Sequence, residues 1–137
     1  MKGIYVLIVS VSKGISVSVG ALGIVRFEKG LYGYVGSAQN SLDRRIERHP
    51  GNNKRKFWHI DYLLANDAAE VVRVFYKEAG KLEECCLSKK LAERGVPVKG
   101  FGSSDCVCNA HLVKIENYDF LRELMREIAV RSSQEAI

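Results

Sequence analysis

No apolar run in this chain reaches the roughly 18 residues that a helix needs to cross a bilayer, so no membrane span is expected. The N-terminal residues do not read as a secretion signal, and none is expected. Met1-Lys2-Gly3-Ile4-Tyr5 enters a strand-like pattern at once, with a short apolar run and no small-residue cleavage site. A cytoplasmic protein is expected. Cysteine is sparse, four residues in two close pairs, Cys85/Cys86 and Cys106/Cys108. Without a secretory signal, structural disulfides are not the default, and buried thiols are the plainer expectation. No linker, repeat or low-complexity stretch divides the chain.

A length of 137 residues with 47% hydrophobic content suits one domain with a real core. The domain is expected over residues 1–130, with a polar tail at 131–137. The net charge of +5, with a sequence pI near 9.1, is unevenly spread. Arg44, Arg45, Arg48, Lys54, Arg55 and Lys56 fall within thirteen positions, opposed by Asp43 and Glu47. A local concentration of positive charge is the electrostatic footprint of a nucleic-acid binder, although a solvated helix face has the same composition.

Residues 4–10 are an apolar, β-rich run that predicts a central strand buried on both faces. Residues 15–19 alternate strictly, as in a strand with one wet face. Residues 24–27 and 31–35 predict two further strands around the turn Glu28-Lys29-Gly30. The first 36 residues thus read as an antiparallel meander of three or four strands. A helix capped by Asn40 or Ser41 is expected to run to His49 and stop at Pro50-Gly51. Further elements are a short helix over 58–65, a strand over 70–76, a helix over 83–94, a strand over 111–115 and a last helix over 118–130. Gly95-Val96-Pro97 reads as a helix stop. The order predicts an α+β fold, a small, mainly antiparallel sheet with helices packed on it.

Two tripeptides stand out within that frame, Gly3-Ile4-Tyr5 and Tyr34-Val35-Gly36. The second runs into Ser37-Ala38-Gln39-Asn40-Ser41-Leu42-Asp43-Arg44-Arg45-Ile46-Glu47-Arg48-His49, a strand leading through a glycine turn to a helix with Arg and His. Such an arrangement can set a phenol, a guanidinium and an imidazole around one anionic centre, and a phosphodiester is the obvious candidate. The order resembles the GIY-YIG nuclease superfamily. The wider text is similar to its small stand-alone Uri-type endonuclease-like branch. Trp58–Leu64, Glu84-Cys85-Cys86-Leu87-Ser88 and Gly100–Leu112 carry that closer likeness, and together the blocks cover roughly residues 3–113. Twenty-eight residues separate Tyr5 from Tyr34, more than the superfamily's hairpin needs, so an extra strand or a long excursion is expected before Tyr34.

The resemblance implies a metal-dependent endonuclease that hydrolyses DNA phosphodiester bonds, with Mg²⁺ or Mn²⁺ as cofactor. Tyr5 and Tyr34 match its two phenols, one of which activates or aligns water. A phenol with a free pKa near about 10 needs a nearby cation for that role. Arg45 matches the helix Arg, whose planar fork suits two phosphate oxygens. His49, at i+4 from Arg45, is an auxiliary acid or base, or else a surface His favoured by the helix dipole. Glu84 matches the downstream acid that holds the metal, with Glu83 as its neighbouring competitor. A hard carboxylate with several waters is what Mg²⁺ prefers.

Arg44, Arg48, Lys54, Arg55 and Lys56 are expected to grip flanking backbone. His59, Asp61, Ser103, Ser104, Asp105 and His111 form an accessory polar cluster around a functional loop. Cys106-x-Cys108-x2-His111 can offer three soft ligands to Zn²⁺, with His59 or Cys85 as a fourth. The single residue between the cysteines departs from the usual spacing of about two to four. A second functional reading is a non-catalytic nucleic-acid-binding module on the same fold.

Overall fold

A computed structural model describes residues 3–38, 59–80, 82–101 and 110–128. β1 (Gly3–Val11) is the apolar run, and all but one of its nine residues are buried. It is central because it has two partners. β4 (Gly30–Ala38) pairs antiparallel on one side and β5 (Ala69–Lys77) antiparallel on the other. Further out, β7 (Leu112–Ile115) pairs with β4, β6 (Gly95–Pro97) with β7, and β8 (Arg126–Ile128) with β5. The sheet order among the described residues is β6-β7-β4-β1-β5-β8, antiparallel throughout.

Side chains alternate across a strand, so this sheet has two cores. Tyr5, Leu7, Val9, Tyr32, Tyr34, Val74 and Leu112 pack on one face, with Ile60 and Leu63 of helix α1 (His59–Leu64). Ile4, Val6, Ile8, Val35, Phe75, Val113 and Ile115 pack on the other, with Leu87 and Leu91 of helix α2 (Leu82–Ala92). A bulge against β5 between Ile8 and Val9 keeps Val9 beside Val71, on the Tyr5 face. The expected α+β architecture is present. No helix among the described residues is long and apolar enough to cross a membrane.

Three sequence expectations are corrected. The N-terminal strands do not form one meander. Among the described residues, β2 (Ile15–Ser18) and β3 (Ile24–Phe27) pair only with each other as a separate two-stranded sheet, and β1 pairs directly with β4. A 3-10 turn at Gly20–Leu22 folds β2 back on β3, and Gly23 closes it at φ 84, a conformation that favours glycine. This hairpin is the excess chain between Tyr5 and Tyr34.

The last helix, α3, covers Asp119–Leu124, not 118–130. Met125 turns extended (φ −140, ψ 165), and the next three residues pair with the open side of β5 as β8. Unpaired ladder groups on β5 outweigh the local helical preference, because tertiary pairing routinely overrides propensity. Gly95-Val96-Pro97 does end α2, but it also forms the edge strand β6. Proline is tolerated there because an edge residue can do without its N–H. The helix expected over 41–49 lies outside the described residues.

Candidate active site

The register of β1 and β4 places Gly3-Ile4-Tyr5 alongside Tyr34-Val35-Gly36, with Tyr5 directly opposite Gly36. Residues two apart share a face, so Tyr34 lies on Tyr5's face as its diagonal neighbour. The two ring centroids are 6.5 Å apart at 52°. Tyr5 is 2% exposed and Tyr34 6%. Glycine at 36 is what admits this arrangement, since a Cβ there would lie 2.5 Å from the Tyr5 hydroxyl oxygen.

Phe101 extends the aromatic cluster. Its ring stands edge-on to Tyr34 at 6.2 Å, to Phe27 at 6.0 Å and to His59 at 5.5 Å. Burial in this setting lowers the pKa of His59 from its ordinary value, which favours the neutral imidazole. Asp61 is buried on the same helix, α1. Tyr32, on the same face, donates its hydroxyl hydrogen to the Glu28 carbonyl at 2.8 Å, and burial raises its pKa.

Glu84 and His111 form a second group, across the sheet. Glu84 sits in the first turn of α2, three residues before Leu87 and seven before Leu91, on the stripe that faces the Ile4 core. Its Oε2 lies 3.0 Å from Nδ1 of His111, and the two side chains are 14% and 3% exposed. The same Nδ1 lies 3.2 Å from the Val35 carbonyl oxygen. Glu83, the competing acid, turns outward and pairs with Lys77 at 3.1 Å.

The predicted catalytic groups among the described residues fall with two different cores. Tyr5 and Tyr34 meet on one face of the sheet, and Glu84 lies on the other. Gly36 lies opposite Tyr5, and its neighbour Val35 offers its carbonyl to the His111 ring that holds Glu84. The accessory cluster is divided in the same way, with His59 beside Phe101 on the Tyr5 face and His111 against Glu84. Alternation along 111, 113 and 115 carried the signal for His111, because Val113 and Ile115 belong to the Ile4 core. Phe101 left no signal in the sequence beyond its aromatic ring.

Arg44, Arg45, Arg48, His49, Lys54, Arg55, Lys56, Ser103, Ser104, Asp105, Cys106 and Cys108 lie outside the described residues. Among the described residues, no three His, Cys, Asp or Glu side chains gather as a group able to hold a metal. Glu84 still fits Mg²⁺ or Mn²⁺ chemically, because these ions bind through one or two carboxylates and keep several waters. Cys85 as the fourth zinc ligand is corrected: it is disulfide-bonded, so it has no thiolate to offer. The expectation of buried free thiols also fails for this pair, since Cys86 is a free cysteine but exposed.

A family model described as "Domain of unknown function DUF123" matches residues 4–134. No curated protein and no solved structure matches this chain.

Proposed function

The chain belongs to the DUF123 family, and from its residues we propose a metal-dependent endonuclease-like protein that hydrolyses DNA phosphodiester bonds. The observation that carries this proposal is the β1–β4 register, which brings the phenols of the two tripeptides side by side at 6.5 Å. The ordered likeness to the GIY-YIG superfamily, and to its Uri-type branch, supplies the chemistry. One phenol aligns or activates water, Arg45 neutralises charge on the phosphoryl oxygens, and Glu84 holds Mg²⁺ or Mn²⁺. When bound, the ion supplies Lewis-acid stabilisation of the developing charge. The basic residues from Arg44 to Lys56 hold the flanking backbone.

The test is direct. Purified protein with Mn²⁺ or Mg²⁺ is incubated with flapped, branched and single-stranded DNA, beside Tyr5→Phe and Glu84→Ala. Product from the wild type, and little or none from either variant, supports cleavage. Equal product from wild type and Glu84→Ala rejects it.

The division of the site favours a second reading, a nucleic-acid-binding module that does not cut. Tyr5 and Tyr34 are nearly sealed, and Glu84 is engaged by His111 on the far face. This reading predicts DNA binding that Tyr5→Phe leaves intact, with no metal-stimulated product.

A further inference from the structure

His111 does more than contact Glu84. Its backbone and ring together hold both polar groups of Val35, the middle residue of Tyr34-Val35-Gly36. The Val35 N–H donates to the His111 carbonyl at 2.8 Å, and the Val35 carbonyl faces His111 Nδ1 at 3.2 Å. The paired register of β4 with β7 ends at Tyr34 and Leu112, so the ring supplies a donor one step past the ladder. The His111 N–H in turn donates to the Phe101 carbonyl at 2.8 Å. A ring tethered this way, at 3% exposure, has little freedom to turn.

The tautomer follows from the partners. Nδ1 faces a carboxylate oxygen at 3.0 Å and a carbonyl oxygen at 3.2 Å, and both can only accept while the carboxylate is ionised. Nδ1 therefore carries a hydrogen. This holds whether the imidazole is neutral or protonated.

From this geometry we infer that His111 is a positioning residue for Glu84: its single Nδ1–H, shared between the Val35 carbonyl and the carboxylate, ties Glu84 to the Tyr34-Val35-Gly36 segment in the orientation in which it would take a hard divalent cation. The inference rests on the reading of Glu84 as a metal ligand. It adds a residue with no metal contact of its own, linking the carboxylate on one face to the strand that carries Tyr34 on the other. Hydrogen-bonded partners of this kind orient ligating carboxylates, and losing one costs about 10–100-fold in metal affinity.

The experiment measures Mn²⁺ binding by electron paramagnetic resonance, without DNA, for wild type, His111→Asn, His111→Gln and Glu84→Gln. Circular dichroism first confirms that each variant is folded. An Asn side-chain N–H can occupy the position of Nδ1–H, whereas that of Gln reaches toward the position of Nε2. Wild type and His111→Asn should bind within a few-fold of each other, while His111→Gln should lose about 10–100-fold and Glu84→Gln should lose more. A purely stabilising His111 would move melting temperature without separating Asn from Gln in metal affinity. Equal affinity in the Asn and Gln variants overturns the positioning role and leaves the nuclease proposal standing. Wild type that binds no Mn²⁺ overturns both the inference and the metal-dependent proposal.

Discussion

Tyr5 and Gly36 face each other across β1 and β4 so closely that a methyl group at position 36 would lie 2.5 Å from the phenol oxygen. The glycine is a condition for where that phenol lies. Tyr5 is almost wholly buried and cannot swing away freely. Gly36→Ala should therefore destabilise the protein by about 1–3 kcal/mol, as overpacking does. Urea denaturation checks this. The same substitution made on Tyr5→Leu should cost clearly less, because the two side chains share one space. Equal costs in both backgrounds would count against the contact.

Leu91 is fully buried in the second core, and a Cβ added at Gly33 would meet its Cδ2 at 2.9 Å. It anchors α2, and so Glu84, to the sheet. Leu91→Ala should cost about 2–5 kcal/mol by lost burial and a residual cavity. Chemical denaturation measures it, and a loss below about 1 kcal/mol would mean the helix is held elsewhere.

His59 gives a pH dependence of definite sign. Burial lowers its folded pKa below the ordinary value of 6.5. The unfolded chain therefore takes up the proton first as pH falls, and stability drops from about pH 6.5 downward until the folded form is protonated too. Above that window His59 contributes no pH dependence. Urea midpoints for wild type and His59→Phe from pH 8 to pH 5 should diverge only in the acid part, with the wild type falling more steeply. Parallel curves would show that the imidazole is solvated in the fold.

Binding to duplex DNA should weaken steeply with salt, because each phosphate contact contributes about 0.9 to the slope of log affinity against log salt. Arg44→Gln and Arg48→Gln should each make that slope shallower by about this amount while affecting all sequences alike. Fluorescence anisotropy over a salt series is the measurement. An unchanged slope would remove these residues from the interface.

The pattern of single residues was enough for most elements. The apolar run of β1 predicts a strand with neighbours on both sides, and 24–27 is a strand over the residues expected. The resemblance favoured Glu84 over Glu83, and Glu84 is the acid that lies against His111 while Glu83 pairs with Lys77. Ladder partners were not legible. Residues 126–128 continue a helical text, yet they add a strand to β5. The alternation of 15–19 predicts a strand but not that it would pair with β3 apart from the main sheet.

The sequence by itself determined a tyrosine on each of two strands, an acid in the first turn of a helix, and basic residues bunched between them. It could not determine on which face each group falls. That depends on pairing register, on the bulge in β5 and on which core α2 covers, all set by contacts between residues far apart in the chain. One step in register exchanges the faces of a strand. For this reason only the tertiary structure could put Glu84 with His111 and leave the phenols across the sheet.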